Sequence, residues 1–99
     1  MHVTHLDGSS DPAGIEDLPA LLAELDDAND EELEVAAGDP YGWSASAYAS
    51  GTVVLDHAAE PPQPQHVLYG MSREEMLAIL TEVMSGDVET ALARPWTME

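Results

Sequence analysis

The chemistry-bearing side chains of this chain are its histidines, its carboxylates and a few serines. His2, His5 and Asp7 lie close enough together to share a metal ion. Zinc, however, asks for three or four fixed ligands backed by a second layer of hydrogen bonds, and a chain end lacks that rigidity. His57 and His66 read as strand or loop residues rather than ligands. Asp27, Asn29 and Glu31 match positions 1, 3 and 5 of a calcium-binding EF-hand loop. Position 6 of that loop must be Gly and here is Glu32, and position 12 must be Glu and here is Gly38. Gly42-Trp43-Ser44-Ala45-Ser46 lacks the second Gly of the G-x-S-x-G nucleophile turn. No Gly-rich phosphate loop occurs. The absence of cysteine removes thiolate chemistry, thiolate zinc sites and disulfides. A carboxyl group acts as a general acid only where burial raises its pKa. The acids of this chain sit on turns and solvated faces. The expectation is a protein that is not an enzyme, with no catalytic residue, no metal ligand and no cofactor.

The elements that would position these groups follow from periodicity. Residues 2–6 read as a short first strand, followed by a loop at Ser9, Ser10, Asp11, Pro12 and Gly14. Ile15, Leu18, Leu21, Leu22 and Leu25 recur at helical spacing. Asp17 is the expected N-cap, Pro19 falls in the first turn, and the helix should end near Ala28 or Asn29. Leu33, Val35 and Ala37 alternate with Glu32, Glu34 and Ala36, the pattern of a half-buried strand with one acidic face. A turn at 38–42 leads to strands at 43–49 and 52–57, joined at Ser50-Gly51, with Val53 and Leu55 facing the core and Val54 and Asp56 opposite. Pro61-Pro62-Gln63-Pro64 is a stiff connector to a short strand, His66 to Tyr69. Ser72-Arg73-Glu74-Glu75 is a capping box, with Met71 and Met76 at the positions of a hydrophobic staple. The helix it opens carries Met76, Leu77, Leu80, Val83 and Met84 on one stripe and stops at Gly86. Asp87 caps a further short helix through Leu92, and Arg94-Pro95-Trp96 closes the fold. These elements predict one α+β domain over residues 1–99. Its small antiparallel sheet of about four strands packs against an early and a late helix.

Charge is the outstanding feature. Twenty Asp and Glu face two Lys and Arg in 99 residues, a formal net charge of −18. Both cations lie late, at Arg73 and Arg94. Such a surface cannot grip nucleic acid, whose affinity comes from cations neutralising phosphates. It is repelled by anionic lipid, and no apolar run approaches the ~20 residues that span a bilayer. No basic and apolar leader opens the chain, so a cytoplasmic location is expected. High net charge with few aromatics is also a mark of disorder. The regularly spaced Leu, with 44% hydrophobic residues, argue for a fold. A compact domain with this charge repels itself, and a basic protein partner is the simplest reason to tolerate that cost. Glu24, Asp26, Asp27, Asp30, Glu31, Glu32, Glu34 and Asp39 form the densest acidic run, and those from Asp26 onward are the expected partner-binding carboxylates. Tyr41, Trp43 and Tyr48 beside it are candidate anchors, with core packing the competing role for Trp43. The expected complex is a heterodimer with a basic toxin that itself acts on nucleic acid. The alternative is a DNA mimic that occupies a host DNA-binding or restriction protein.

The early leucine-rich helix Leu18 to Leu25 precedes an acidic strand, and a central hairpin runs around Trp43 and Val53-Val54-Leu55. The C-terminal block runs from Ser72-Arg73-Glu74-Glu75-Met76-Leu77 to Arg94-Pro95-Trp96. In these features the chain resembles the small α+β immunity proteins that neutralise deaminase toxins of bacterial polymorphic toxin systems. It departs from them in the adjacency of Pro95 and Trp96, in an extra short helix and in a shorter hairpin. The resemblance implies toxin binding in the cytoplasm without catalysis, and it assigns no contact residues.

Overall fold

Alternating side chains turn a strand into a two-faced element, and here that alternation builds one large sheet. The computed structural model describes residues 2–29, 31, 33–38, 42–57 and 66–98. The strands are β1 (His2–Thr4), β2 (Ser10–Pro12), β3 (Glu34–Gly38), β4 (Trp43–Tyr48), β5 (Val53–His57), β6 (His66–Leu68) and β7 (Thr97–Met98). They pair antiparallel throughout in the order β2-β1-β3-β4-β5-β6-β7. The helices are α1 (Leu18–Ala23), flanked by 3-10 turns at Ile15–Asp17 and Glu24–Asp27, then α2 (Arg73–Met84) and α3 (Val88–Leu92). The α+β class is as expected.

The sheet is larger than the expected four strands. Among the described residues it has six strands of three or more residues plus the two-residue β7. Ser10–Pro12 is strand rather than loop. Ser, Asp and Pro are poor strand formers, but this strand lies at an edge, where a residue without an N–H is tolerated. The turn before it is closed by bonds from the His5 N–H to the Ser9 carbonyl and from the Gly8 N–H to the His5 carbonyl. β7 is too short to leave a periodic signal and is recruited by β6.

Register separates the two faces. Val3, Ala37, Ala45 and Leu55 form one cross-strand row, and Val35, Ala47, Val53 and Leu68 the next. All eight are buried, in one cluster with Leu18, Leu21, Leu22 and Leu25 of the first helical segment and Met76, Ile79, Leu80, Val83 and Met84 of α2. The helices therefore stack on this face. The alanines that weaken β4 as a strand by propensity have a reason: small side chains let α2 approach β3 and β4, and the larger α2 side chains fill the space. Val54 and Asp56 stand on the opposite face, as the alternation predicts.

Two apolar residues depart from their expected places. Ile15 is not on the buried stripe but exposed, because the chain begins as a 3-10 turn with a different angular step. Leu33 precedes β3 and is 48% exposed. Asp17 holds the N-cap position of α1, with Pro19 in the first turn as expected, but its side chain does not cap the helix. Its carboxylate accepts from the Gly14 N–H at 3.0 Å and closes the preceding turn. At α2 the capping box forms as read: Ser72 Oγ accepts from the Glu75 N–H at 3.2 Å, and Glu75 accepts from the Ser72 N–H at 3.4 Å. Met76 is buried and Met71 packs on the same core. Gly86, with φ +83°, follows the C-cap Ser85. The hairpin after β4 turns at Ala49-Ser50-Gly51 through bonds from the Gly51 N–H to the Tyr48 carbonyl and from the Tyr48 N–H to the Thr52 carbonyl. The Pro61-Pro62-Gln63-Pro64 connector and residues 39–41 of the expected 38–42 turn lie outside the described residues.

Candidate functional site

The face of the sheet away from the helices carries Thr4, Ala36, Ser46, Val54 and Val67 in one cross-strand row, with Ser44 and Asp56 to one side and Glu34 and Tyr48 to the other. Of these only Val67 is buried. Where β1, β3 and β4 end together, this face deepens into a groove of about 510 Å³. It is lined by Thr4, His5, Leu6, Asp7, Gly8, Glu31, Leu33, Glu34, Ala36, Ser46 and Tyr48.

The expected partner-binding residues are distributed rather than gathered. Glu31, Glu34 and Tyr48 share the groove. Glu34 and Tyr48 are cross-strand partners, which sets the phenol beside the Glu34 carboxylate. Burial first, and then this carboxylate, raises the Tyr48 pKa, so the hydroxyl stays protonated. Asp26 and Asp27 lie on the 3-10 turn after α1, and Asp26 pairs with Arg73 Nη2 at 3.1 Å. Trp43 stands at the other end of β4 from Tyr48, about 16 Å away at ~3.3 Å per residue, and on the opposite face. It stacks tilted on His57 with ring centroids 4.7 Å apart and packs against the core. Trp43 and Tyr48 therefore cannot belong to one patch on the sheet. Asp30, Glu32, Asp39 and Tyr41 lie outside the described residues.

His5 has neighbours that its spacing in sequence did not suggest. Its Nδ1 meets Glu24 Oε2 at 2.7 Å and its Nε2 meets Asp11 Oδ2 at 2.8 Å. Glu24 Oε1 also accepts from the Leu6 N–H at 3.0 Å. The Glu24 bond is the largest influence and raises the imidazole pKa against the opposing effect of burial, with Asp11 adding to it. This imidazole ring ties β1, β2 and the end of the first helical segment together. His2 is an odd number of residues away and so faces the other side of β1. Among the described residues no group of His, Asp and Glu is arranged to hold a metal ion.

Both arginines are engaged by groups of the chain itself. Arg73 Nη1 donates to the Leu22 carbonyl at 2.8 Å while Nη2 meets Asp26. Arg94 grips Glu82 with two bonds, the Nη2–Oε2 one at 3.0 Å. Every positive side chain outside the histidines is thus a staple between α1 and α2 or between α2 and the tail. The carboxylates left over define the outward field. Asp7 is held firmly: Ser9 N–H and Ser9 Oγ both donate to its Oδ1, at 2.9 and 2.6 Å, and the hydroxyl bond chiefly lowers its pKa.

Sequence reasoning missed Leu6, Asp7 and Leu33 as surface features. The groove is assembled from three separated segments, and only the exposure of a leucine in an acidic run hints at it. No helix among the described residues is long and apolar enough to cross a membrane. Compared with protein families, curated proteins and solved structures, the chain matches none.

Proposed function

We propose that this chain is an inhibitory partner of the immunity-protein kind, which docks on a basic protein toxin and occludes it without making or breaking a bond. The observation that carries this reading is the internal use of both arginines in a chain of net charge −18. No Lys or Arg remains to soften the outward field, so the surface is of nearly one sign. A field of that kind steers a cationic partner and raises association rates toward ~10⁸–10⁹ M⁻¹s⁻¹ at low salt. It also rejects anionic competitors. An enzyme that acts on nucleic acid is basic around its substrate channel, because it binds phosphates. A toxin of that type, with a nucleic-acid deaminase as the first candidate, is therefore the proposed target.

The DNA-mimic reading draws on the same charge but wants a long row of phosphate-like carboxylates. The molecule, at 33 × 27 × 24 Å, is nearly as wide as it is long, which favours a capped site over a mimicked duplex.

The test pairs the chain with a cationic enzyme that acts on nucleic acid, beginning with any encoded beside it, and measures association by stopped flow together with inhibition of that enzyme's turnover. Stoichiometric inhibition is expected, with an on-rate that falls at least about tenfold between dilute buffer and high salt. No complex, or an on-rate indifferent to salt, overturns the proposal.

A further inference from the structure

The groove at the end of β1, β3 and β4 combines features that a merely solvated acidic face does not need. Its rim holds three carboxylates, Asp7, Glu31 and Glu34, and its walls include Leu6, Leu33 and Tyr48. Leu33 is 48% exposed, on a chain that otherwise buries its leucines well. We propose that this groove receives an arginine side chain projecting from the basic partner, and so forms the anchor point of the complex. The inference rests on the reading that the partner is a basic protein, and adds to it where and by what side chain that protein is held.

Three arguments select arginine. A guanidinium carries its charge on a long apolar stem, so it satisfies carboxylates and an exposed leucine at once. It also stacks on an aromatic ring, which Tyr48 supplies. A compact, strongly hydrated lysine ammonium or a bare divalent ion gains little from Leu33. Among the described residues no group is arranged to hold a metal ion. A second copy of this chain is excluded as the occupant by like charge.

The groove is also prepared. Ser9 fixes Asp7 through two bonds, and Glu34 stands directly across the strand pair from Tyr48. Side chains already ordered lose little entropy on binding, which favours a specific contact over diffuse attraction. At about 510 Å³ the space lies within the roughly 300–1,000 Å³ of ordinary ligand sites.

The probes are an oligo-arginine and an oligo-lysine peptide of equal length, titrated into the full chain in dilute buffer and followed by amide NMR shifts and calorimetry. Shifts are expected to concentrate at Thr4–Gly8, at Glu34–Ala36 and at Ser46–Tyr48, with the arginine peptide bound at least about fivefold more tightly. The double variant Glu31→Gln, Glu34→Gln should lose about tenfold in affinity. The double variant Glu74→Gln, Glu89→Gln removes the same charge from α2 and α3 and should lose less than about twofold. Circular dichroism establishes that each variant is folded. Equal losses from the two variants, with shifts spread over the helices, overturn the groove and leave the basic-partner reading standing. Failure of both peptides to bind the unaltered chain overturns the groove and that reading together.

Discussion

Replacing Arg73 with methionine should loosen the contact between α1 and α2, and the structure gives the amount. The guanidinium makes two contacts. One is a bond to the Leu22 carbonyl, in the last turn of α1, at 2.8 Å. The other is the pair with Asp26 at 3.1 Å. A hydrogen bond from a charged donor contributes about 1.5–3 kcal/mol. The Arg73 side chain is 41% exposed, so the lower end of that range applies. The Asp26 side chain is 74% exposed, and a pair of that kind adds no more than about 0.5 kcal/mol. Methionine keeps the apolar stem and removes only the donors. The expected loss is about 1.5 kcal/mol, or a fall in Tm of roughly 6–12 °C for a domain of this size.

Salt separates the two contributions. At 1 M ionic strength the Debye length is about 3 Å, which screens the exposed pair and leaves the carbonyl bond in place. Thermal and urea melts of both proteins, followed by far-UV circular dichroism in dilute buffer and in 1 M NaCl, should show most of the difference surviving. A double-mutant cycle with Asp26→Asn should give a coupling below about 0.5 kcal/mol. If the difference vanishes in high salt, or is below about 0.3 kcal/mol in both buffers, the assignment of the bond to the Leu22 carbonyl as the staple is wrong.

Gly51→Ala should destabilise more than Gly8→Ala. Both residues have positive φ, +95° and +89°, but a Cβ on Gly51 would lie 3.3 Å from the Met71 carbonyl oxygen, while one on Gly8 meets nothing within 4 Å. The shared backbone cost is about 1–2 kcal/mol. Any excess at Gly51, read from urea midpoints, measures the packing of the hairpin turn on the loop before α2, and equal costs would refute that packing. For His5 the sign follows from its raised pKa. The folded imidazole holds its proton more tightly than the unfolded one, so its contribution is fully present below about pH 6.5 and is lost as pH rises through the folded value. The stability gap between the native chain and His5→Gln should therefore shrink on going from pH 6 toward alkaline pH. A gap that does not change with pH would show that the imidazolium is not what joins β1, β2 and the helix end.

What the sequence revealed tracks how local each determinant is. The capping box at Ser72 needs four consecutive residues and formed as read. The two faces of β5 follow from alternation alone, because Val53 and Leu55 outclass Asp56 in hydrophobicity. The face of β4 was harder, since an Ala and Ser alternation carries almost no hydropathy contrast. It is fixed by α2 lying over Ala45 and Ala47, a contact between residues far apart in the chain. Trp43 shows the same limit: beside an acidic run it reads as core before anchor without its side of the strand being fixed, and the parity of β4 is what places it on the helix side. The groove was least legible of all. Asp7, Glu31 and Tyr48 have nothing in common until β1, β3 and β4 pair.

Fold and field are nearly independent in this molecule. Among the described residues the buried set contains no polar or charged side chain, so the core is specified by aliphatic pattern alone. Among the described residues the charges meet the fold at seams, through Arg73, Arg94 and His5, and at turns and a helix cap, through Asp7, Asp17 and Glu75. Neutralising an exposed carboxylate away from those places leaves every core contact in place and reduces self-repulsion. Such variants should therefore fold at least as well as the native chain. A loss of partner binding in them reports on recognition rather than on unfolding. That separation makes Glu31 and Glu34 more informative positions for a binding experiment than Asp26, whose removal also frees a guanidinium that holds the helices together.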